Sequence, residues 1–453
     1  MYLVYSFLLT VGFILLLPRF AIDAFRSRKY ITGLSQRLGA IPKLDSSSAP
    51  LIWLHCVSVG ETEAARPLVR ALQNRLPAHR LVVSTTTVTG QAVARQAFGK
   101  DAAAIIYFPI DWVCTIRRVL RALNPTAVLI METELWPNLL RECRRRSIPV
   151  ALVNGRISPN SFRRYHRIRA FMRRVLSDLS VALMQSDEDA QRISALGLGA
   201  ERIRSVGNMK FDSATLPATD HSVTSDLRER YAFKSEQPVI VAASTHAPEE
   251  TVAIESFKIL REGNPGARLL IAPRHPQRFE EVAKLIADSG FAWSRRSASV
   301  STRDFDAAIV LLDSIGELRA TFQFADIAFV GGSLIPHGGQ NVLEPAAQGV
   351  CVLTGAHTHN FKAITDALLA KDALIQLPRL SAADAPAALA RVIAELLSDE
   401  ARRKAIGHRA QNVCAQNRGA TQQTVDMLVN LLEPASSLNA SLPFPAVELT
   451  ATK

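Results

Sequence analysis

Two acidic segments each follow a short apolar run and carry side chains suited to general acid–base chemistry. Ser58-Val59-Gly60-Glu61 comes after the apolar residues 51–57, and Met131-Glu132-Thr133-Glu134 ends the apolar run that begins at Ala127. A carboxylate at such a junction can accept the proton of an alcohol. Each segment alone is more typical of a glutamate that complements the dipole, or caps the backbone, at the start of a helix.

Two basic residues lie in segments that suit the recognition of anions. Lys210 lies in Gly207-Asn208-Met209-Lys210-Phe211-Asp212, where it can hold a phosphate or a carboxylate or lie at the surface. Arg274 follows the apolar run 268–272, and guanidinium groups bind phosphate in a bidentate manner. Ser244-Thr245-His246 follows another apolar run, so we expect both loops to open onto the same edge of one sheet.

The segment from Phe329 to Pro345 is rich in glycine and predicts a strand, a loop and the start of a helix. Glycines allow backbone N–H groups to approach a phosphate, and the start of a helix adds positive potential. Glu344 can accept hydrogen bonds from the hydroxyls of a ribose. The segment matches neither a P-loop nor a G-x-G-x-x-G motif, so ATP and NAD are not indicated as ligands.

Two Asp-x-Asp patterns have the form that holds Mg²⁺ on sugar nucleotides. Asp187-Glu188-Asp189 follows Ser186 and is better explained as the capped start of a helix. Asp304-Phe305-Asp306 precedes a predicted strand rather than following one, and His357-Thr358-His359 is too sparse for a zinc site. We therefore predict no metal site.

The segments that must position these residues alternate between short apolar runs and helical spacing in both halves of the chain. A linker over 212–220 separates the halves. Apolar runs separated by helices predict a parallel sheet with helices on both faces. We expect two doubly wound α/β halves facing each other across a cleft, with ligands at the carboxyl ends of the strands. The predicted strands cover 51–57, 80–85, 127–131, 150–153, 181–184, 239–243, 268–272, 308–312, 327–330 and 350–353.

Length and composition favour a globular protein with an anionic partner. The chain has 453 residues, and 53 Lys+Arg against 41 Asp+Glu give a net charge of +12. Such a charge suits nucleic acid, a phospholipid surface or a phosphorylated substrate. An aromatic content of only 6% disfavours binding of single-stranded nucleic acid by stacking. The five cysteines form no C-x-x-C motif, which favours a reducing compartment over a disulfide framework.

The first residues predict attachment to a membrane. No charge occurs from Tyr2 to Leu17, a run slightly shorter than the roughly 20 residues of a membrane span, and Pro18 and Arg19 close it. The basic residues that follow place the remaining chain on the cytoplasmic side. A spanning anchor, a monotopic anchor and a helix packed on the folded body remain alternatives.

A second basic stretch runs from Ser161 to Arg174 and contains six arginines. On one helix, Phe162, Tyr165, Ile168 and Met172 share a face, and the arginines cover much of the remainder. This pattern predicts contact with lipid headgroups or substrate phosphates, or else a solvated helix packed on a domain.

Taken together, the motifs resemble those of the Kdo transferases, the 3-deoxy-D-manno-octulosonic acid transferases of lipopolysaccharide assembly in Gram-negative bacteria. The resemblance extends from the N-terminal run to about residue 432. The motifs that carry it are Val57-Ser58-Val59-Gly60-Glu61, Met131-Glu132-Thr133-Glu134-Leu135-Trp136-Pro137, Gly207-Asn208-Met209-Lys210-Phe211-Asp212, Ser244-Thr245-His246, Pro273-Arg274-His275-Pro276 and Gly338-Gly339-Gln340-Asn341-Val342-Leu343-Glu344-Pro345.

The resemblance implies a GT-B glycosyltransferase of two doubly wound Rossmann-like domains plus an N-terminal membrane helix. It implies an inverting, metal-independent transfer of Kdo from CMP-Kdo to a hydroxyl of the lipid A precursor lipid IVA, with no cofactor, at the cytoplasmic face of the inner membrane. The expected domains are an anchor with a basic segment (1–43), an acceptor-binding domain (44–216), a CMP-sugar-binding domain (217–433) and a disordered tail (434–453).

The resemblance also implies roles for individual residues. Glu61 is similar to the family's proton acceptor, and Glu132 and Lys210 to its transition-state stabilisers. The residues implied as CMP contacts are Pro273, Arg274, Ile315, Gly316, Glu317, Asn341, Val342, Leu343 and Glu344.

Two other functions are compatible with parts of the sequence. One is a GT-B transferase with a UDP-sugar donor and a lipid-linked acceptor. The other is a membrane-tethered basic scaffold that binds nucleic acid or anionic lipid, for which the acidic segments and the glycine loop have no use. We therefore expect CMP-Kdo, a phosphorylated lipid A precursor and an anionic membrane surface as partners, and no nucleic acid.

Overall fold

The computed structural model describes residues 1–27, 32–45, 47–214, 221–233 and 237–432. The contacts divide the chain into two compact units, one formed by Met1–Ser213 with Arg418–Lys453 and the other by Ala214–Asn417. The predicted tail (434–453) and most of the predicted linker lie outside the described residues.

The described part of the first unit is built on a seven-stranded parallel sheet with the strand order β3-β2-β1-β4-β5-β6-β7. Its strands are β1 (Leu51–His55), β2 (Arg80–Thr85), β3 (Ala104–Tyr107), β4 (Ala127–Met131), β5 (Val150–Gly155), β6 (Val181–Met184) and β7 (Ile203–Ser205). Its α-helices are α1 (Tyr2–Ser27), α2 (Leu34–Arg37), α3 (Val59–Ala64), α4 (Arg66–Arg75), α5 (Val88–Phe98), α6 (Val113–Leu123), α7 (Pro137–Arg145), α8 (Pro159–Arg167), α9 (Arg169–Leu176), α10 (Asp187–Ala195), α11 (Met209–Ala214) and, near the end of the chain, α20 (Ala420–Leu432). A 3₁₀ turn covers Ala200–Arg202.

The second unit also contains, in its described residues, a seven-stranded parallel sheet, with the strand order β10-β11-β9-β8-β12-β13-β14. Its strands are β8 (Val239–Thr245), β9 (Arg268–Pro273), β10 (Trp293–Arg295), β11 (Ile309–Leu311), β12 (Ile327–Val330), β13 (Cys351–Thr354) and β14 (Ile375–Gln376). Its α-helices are α12 (His221–Tyr231), α13 (Glu249–Gly263), α14 (Phe279–Asp288), α15 (Leu318–Thr321), α16 (Leu343–Ala347), α17 (Lys362–Leu369), α18 (Ala385–Ser398) and α19 (Glu400–Gln416). Three 3₁₀ turns cover Pro276–Arg278, Thr302–Asp306 and His359–Phe361.

The central strands are uniformly apolar because both faces of each sheet are covered by helices. In β1, Leu51 and Trp53 pack into one core cluster while Ile52 and Leu54 pack into the cluster on the opposite face. In β8 the residues likewise alternate between two clusters. This burial on both faces explains why the strands form continuous apolar runs in the sequence, and it confirms the predicted doubly wound parallel sheets.

The first helix is longer than the apolar run, since α1 continues through Pro18 to Ser27. The predicted helix over 161–174 is two helices, α8 and α9, that break at Ile168. Ile168 is 49% exposed, so it does not share the packed face of Phe162 and Tyr165.

The last helix belongs to the first unit rather than to a continuous second domain over 217–433. In α20, Val425 and Leu428 are buried in the first unit's core cluster beside α4. The Asp212 carboxylate accepts the N–H groups of Gly419 (2.8 Å) and Thr421 (2.7 Å), which fixes the start of this helix. The predicted boundary at 433 is therefore wrong for this segment.

Candidate active site

The acidic segments lie at the point where the strand order of the first sheet reverses. Strands β1 and β4 are neighbours there. The strand that follows β1 in the chain, β2, lies on one side of this pair, and the strand that follows β4, β5, lies on the other side. In a doubly wound sheet this switch point opens a crevice at the carboxyl ends of the strands. Glu61 follows β1 and Glu132 follows β4, so two motifs that are 71 positions apart in the sequence meet at one place.

Glu61 lies in the first turn of α3 and is buried, with only 8% of its surface exposed. Its carboxylate accepts the backbone N–H of Val57 (2.7 Å) and the hydroxyl of Ser58 (3.1 Å). Burial, followed by the negative charge of Glu132, raises the pKa of Glu61 to about 8, against the opposing effect of the two hydrogen bonds. Such a carboxyl group can exchange a proton near neutral pH.

The backbone of Glu132 has a conformation that residues other than glycine rarely adopt. Its φ is 55°, in the left-handed region, and its N–H donates to the carbonyl of Val153 (2.9 Å). The hydroxyl of Thr133 donates to the carbonyl of Arg156, which fixes the next residue as well. A non-glycine residue in this region costs on the order of 1–3 kcal/mol, and such residues cluster at functional sites.

Lys210 forms an ion pair with Glu132. Its Nζ lies 2.8 Å from Glu132 Oε1, and both side chains are largely buried, with 17% and 19% exposed. The start of α11 is fixed by Asn154, whose Oδ1 accepts the N–H of Met209, and by Asn208, whose Oδ1 accepts the N–H of Lys210 (both 3.0 Å). The structure thus brings together the three residues predicted to be catalytic.

Two further titratable residues adjoin this cluster. Burial and then the charge of Glu132 raise the pKa of Glu134, so a third carboxyl group contributes to the local negative charge. His55, at the end of β1, is fully buried and stacks on Phe108 with ring centres 3.9 Å apart. Burial lowers the pKa of His55 to about 3, so it is neutral at physiological pH. In the sequence pattern, His55 is marked only as part of a strand.

The switch point of the second sheet, between β8 and β12, is bridged by a carboxylate that no sequence motif reveals. Glu249, the first residue of α13, has no exposed surface. It accepts four backbone N–H groups, those of Gly332 (2.6 Å), Ser333 (2.9 Å), Leu334 (2.9 Å) and His246 (3.0 Å). Burial raises the pKa of Glu249, and these hydrogen bonds oppose the rise.

This arrangement corrects the predicted phosphate cradle. The N–H groups of 332–334 point at Glu249 rather than at an open surface, because the carboxylate occupies the concavity that the loop forms. Gly331 is required by the same close packing. A Cβ on Gly331 would lie 2.7 Å from Thr245 Cα and 2.8 Å from Glu249 Oε2. The loop after β12 is therefore fixed to the loop after β8.

Arg274 directly follows β9, at the carboxyl end of that strand in the second sheet. Pro273 ends β9 and is buried, and the N–H of Arg274 donates to the carbonyl of Thr245 (3.0 Å). The side chain of Arg274 is exposed. The two loops that the sequence placed on one edge, after β8 and after β9, are thus joined by a hydrogen bond, as predicted.

Three histidines add polar surface beside Arg274. The ring of His246 lies 4.1 Å from that of His337 and 5.1 Å from that of His275, measured between ring centres. Gln340 Nε2 lies 3.0 Å from His246 Nε2. Burial, followed by the nearby imidazoles and Arg274, lowers the pKa of His246 to about 4. His246 is therefore neutral at physiological pH, and the charge that suits an anion at this edge is that of Arg274.

In the segment 341–344, two polar side chains are accessible and the two apolar side chains between them are buried. Asn341 Nδ2 donates to Glu344 Oε1 (3.0 Å), and the N–H of Leu343 donates to Asn341 Oδ1 (3.1 Å). Val342 and Leu343 are 1% and 0% exposed, so their side chains belong to the core and do not form a ligand surface. Asn341 and Glu344 are the members of this segment with accessible side chains.

Of the predicted nucleotide contacts, the segment 315–317 is the least suited by its conformation and contacts to bind a ligand. Ile315 is 73% exposed, and Gly316 has a φ of 93°. The Glu317 carboxylate pairs with Arg296 (2.8 Å) and accepts the hydroxyl of Ser314, and these contacts hold its pKa below the usual range. Its carboxylate is therefore already engaged within the second unit.

Both Asp-x-Asp patterns have structural roles, and the first has the capping role that the sequence indicated. Ser186 caps α10 by accepting the N–H of Asp189 (3.2 Å). Asp304 forms a capping box with Ser301 and pairs with the buried Arg230 (2.9 Å). In the part of the chain that the structure describes, no three His, Cys, Asp or Glu residues are grouped to hold a metal ion.

Solved structures with little sequence identity share the fold. The UDP-GlcNAc 2-epimerase of Neisseria meningitidis superposes with a TM-score of 0.58 at 11% identity, over 84% of this chain and 100% of that one. A glycosyltransferase from Rickettsia africae superposes with a TM-score of 0.55 at 14% identity, over 86% of this chain and 100% of that one. Together with the two doubly wound sheets, these likenesses confirm the predicted GT-B class.

Sequence comparison gives the family. Residues 32–213 match the family model of the 3-deoxy-D-manno-octulosonic-acid transferases (kdotransferases). The 3-deoxy-D-manno-octulosonic acid transferase of Haemophilus influenzae is 35% identical over 95% of this chain and 98% of its own length. That of Bordetella pertussis is 38% identical over 85% of this chain and 89% of its own. The chain therefore belongs to the 3-deoxy-D-manno-octulosonic acid transferase family.

Proposed function

We propose that this protein transfers Kdo from CMP-Kdo to a hydroxyl of the lipid A precursor lipid IVA, with inversion at the transferred carbon, in lipopolysaccharide core biosynthesis. The observation that carries the proposal is the grouping of Glu61, Glu132 and Lys210 at the β1/β4 switch point of a chain of this family. A sugar hydroxyl is a poor nucleophile at neutral pH and needs a base, and this grouping supplies one.

Glu61 is the proposed base. It takes the proton of the acceptor hydroxyl while the acceptor oxygen forms a bond to the anomeric carbon of Kdo. The bond from that carbon to the CMP phosphate breaks, and its electron pair leaves with CMP. A base in this role contributes typically about 10²–10⁴-fold to the rate. The pKa of Glu61 is raised to about 8, which is close to neutral pH, and a general base works best when its pKa is near the working pH.

Lys210 and Glu132 are the proposed stabilisers of the transition state. Kdo carries a carboxylate next to the reacting carbon, and the leaving phosphate gains charge, so a nearby ammonium group lowers the barrier. Glu132 holds the Lys210 ammonium group at 2.8 Å, and its own charge can support a positively charged, oxocarbenium-like carbon. The left-handed backbone of Glu132 fixes the direction of its side chain.

The second unit is the proposed CMP-binding domain. The exposed guanidinium group of Arg274 is suited to a phosphate, and the ring N–H groups of the three histidines beside it are further hydrogen-bond donors. Asn341 and Glu344 offer an amide and a carboxylate to the ribose hydroxyls. We propose that these groups bind the leaving phosphate without a metal ion. Of the residues implied by the family motifs, Val342, Leu343 and Glu317 then support the site rather than contact the nucleotide.

Attachment to the inner membrane is part of the proposal. Among the described residues, one helix is long and apolar enough to cross a bilayer, within Tyr2–Arg19. The arginines of α8 and α9 suit an anionic membrane surface and the phosphates of the acceptor. We propose that the catalytic body lies on the cytoplasmic side of this membrane, in accord with the basic residues that follow α1.

The deciding experiment compares the wild-type protein with Glu61→Gln and with the control Glu63→Gln, an exposed glutamate of the same helix. Each is incubated with CMP-Kdo and lipid IVA, and the product is weighed by mass spectrometry. We expect Kdo addition by the wild type and the control, a loss of at least about 10²-fold in Glu61→Gln, and equal CMP affinity in all three. Near-normal transfer by Glu61→Gln would reject the base assignment.

Two further measurements test which nucleotide sugar is the donor and whether a metal ion is required. Competition by CMP against UDP distinguishes the proposed donor from a UDP-sugar, and stronger competition by UDP would favour that rival function. Full activity is expected in excess EDTA. A strict requirement for Mg²⁺ would contradict metal independence while leaving the assignment of Glu61 intact.

A further inference from the structure

The loop 132–136, which joins β4 to α7, is fixed at both ends by hydrogen bonds. At its start, the N–H of Glu132 and the hydroxyl of Thr133 donate to backbone carbonyls of β5 and of the residue that follows it. At its end, the buried Asp111 carboxylate accepts the N–H groups of the second and third residues of α7 (2.9 and 2.8 Å). The fold itself therefore holds the side chains of this loop in place.

Glu134, in the middle of this loop, has a half-buried carboxylate that the fold leaves without a partner. In the part of the chain that the structure describes, no donor forms a hydrogen bond to it and no cation pairs with it. Its neighbour Glu132, by contrast, pairs with Lys210 (2.8 Å). A carboxylate that is partly removed from water without a donor costs free energy. Glu134 therefore offers an unfilled hydrogen-bond acceptor on a fixed loop.

This carboxylate lies close to the proposed base. After burial and the charge of Glu132, the charge of Glu134 contributes to the raised pKa of Glu61. Glu134 also affects a residue of another element, since burial and then the charge of Glu134 raise the pKa of the Tyr165 hydroxyl on α8. The acceptor thus lies between the site of proton transfer and a tyrosine.

Tyr165 reaches this place from α8. Its ring packs against the same core cluster as Leu135 and Trp136 of the fixed loop, and the residue is half-buried. Among the described residues its hydroxyl, too, forms no hydrogen bond. A phenol hydroxyl can donate one hydrogen bond, and a carboxylate accepts. Two separate elements therefore bring a donor and an acceptor together, and neither is used by the fold.

A hydroxyl group of a sugar is the ligand that fits this pair. It donates one hydrogen bond and accepts others, so it can satisfy Glu134 and Tyr165 at once. A phosphate or a carboxylate is disfavoured because Glu61, Glu132 and Glu134 are acidic. An apolar group is disfavoured because it would bury both polar groups without partners. Since Glu134 follows Glu132 by two positions, the nearest sugar is the one whose anomeric carbon Glu132 supports in the proposed function.

We propose that Glu134 and Tyr165 bind a hydroxyl group of the Kdo that is transferred. The sugar hydroxyl donates to the Glu134 carboxylate and accepts from the Tyr165 hydroxyl. This contact orients the sugar so that its anomeric carbon faces the acceptor hydroxyl at Glu61. The inference deepens the proposed function and rests on it.

Steady-state kinetics with CMP-Kdo and lipid IVA test the contact in Glu134→Ala and Tyr165→Phe. The control is Glu63→Ala, which removes an exposed glutamate of α3. We expect kcat/KM for CMP-Kdo to fall by about 10-fold in each of the two variants, with an unchanged KM for lipid IVA and an unchanged control. An unchanged kcat/KM for CMP-Kdo would overturn the proposal. A raised KM for lipid IVA alone would place the hydroxyl on the acceptor and overturn the assignment to Kdo.

Analogues of CMP-Kdo that each lack one hydroxyl group of the sugar separate direct contact from an indirect effect. With the wild type, the analogue without the bound hydroxyl should lose about 10-fold in kcat/KM. With Glu134→Ala the same analogue should lose little more, because the contact is already absent. If every analogue loses the same factor with the variant as with the wild type, the contact does not exist, however active the variant is.

Urea unfolding at pH 8 tests whether Glu134 instead has a structural role. Because its carboxylate has no partner to lose and its pKa is raised by folding, its removal should leave the unfolding midpoint as high as that of the wild type or higher. A lower midpoint in both Glu134→Ala and Glu134→Gln would reveal a structural contact and overturn the proposal. Glutamine retains one acceptor oxygen, so Glu134→Gln should recover part of the activity that Glu134→Ala loses.

The proposal and the proposed function fail in different ways. A wild-type protein that does not transfer Kdo from CMP-Kdo would reject the proposed function. A wild-type protein that transfers Kdo, with equal losses on every analogue in the wild type and in Glu134→Ala, would reject only the contact with the sugar hydroxyl.

Discussion

Replacing Glu61 by glutamine should stabilise the folded protein at alkaline pH while it abolishes transfer. The carboxyl group is 8% exposed, and its pKa rises from 4.5 to about 8 because of burial and the charge of Glu132. An acid whose pKa is raised by folding favours the folded state when it is neutral. It therefore disfavours folding increasingly as pH rises from the unfolded pKa to the folded one. Glutamine is neutral at every pH and lacks this penalty.

The size of the effect follows from the two pKa values. Ionisation of Glu61 opposes folding by about 2 kcal/mol at pH 6 and by about 5 kcal/mol at pH 9, as upper limits. The hydrogen bonds from Val57 and Ser58 are altered in the variant by an amount that does not depend on pH. The difference in unfolding free energy between Glu61→Gln and the wild type should therefore grow by up to about 3 kcal/mol between these pH values.

Urea unfolding at pH 6, 7, 8 and 9 measures this difference, and Glu63→Gln is the matched control. Glu63 is on the same helix, but its side chain is 48% exposed and pairs with Arg66 at the surface. The control should change stability by less than about 1 kcal/mol at every pH. A constant difference between Glu61→Gln and the wild type across this range would refute the electrostatic reasoning, whatever the effect on transfer.

Three further substitutions test the remaining contacts. Lys210→Gln removes the cation beside Glu132 and should lower kcat by about 10²–10³-fold without weakening CMP binding in calorimetry; an unchanged kcat would exclude a catalytic role. Glu249→Gln replaces one carboxylate oxygen by an amide NH2, so two of the four backbone N–H groups lose their acceptor; it should destabilise the protein by about 2–4 kcal/mol in urea unfolding and weaken CMP binding. Gly331→Ala forces a methyl group against Thr245 and should cost about 1–3 kcal/mol, seen as a lower Tm; an unchanged Tm would contradict the close packing.

The sequence predicted the interior of both sheets and missed their edges. All ten predicted strands lie inside the two sheets, whereas the missed strands β3, β7, β10 and β14 are the four outermost ones. The reason is burial. Interior strands are covered on both faces and form apolar runs, but β7, β10 and β14 are two or three residues long and only partly buried. β3 is buried only at its last two residues. Edge strands therefore leave a weak pattern.

Glu61 and Glu132 could be placed together from the sequence because each follows a strand that the apolar pattern marks clearly. Lys210 follows β7, which the pattern missed, so its place beside Glu132 rested on the family motif alone. Glu249 was not predictable, since its partners Gly332, Ser333 and Leu334 lie 83–85 positions away and use backbone atoms, which leave no trace in side-chain type. The assignment of α20 failed for a similar reason. Its apolar face is visible in the sequence, but the unit that covers this face is decided by tertiary contacts.

The two switch points show why Glu61, and not Glu249, is suited to take a proton. Both carboxylates begin a helix after the first strand of their sheet, and burial raises both pKa values. An ionised carboxylate has about four lone-pair positions. Glu249 receives four N–H donors, so its acceptor capacity is filled and its role is to fix a loop.

Glu61 receives two donors from the described residues around it, Val57 and Ser58, and it keeps capacity for a third. The two donors orient the carboxylate, while Glu132 raises its affinity for a proton. A base needs both properties at once: a fixed direction and an unfilled lone pair. By this criterion a substitution that added a third donor to Glu61 should lower the rate of transfer even if the carboxylate remained in place, because the acceptor hydroxyl would lose its hydrogen-bond acceptor.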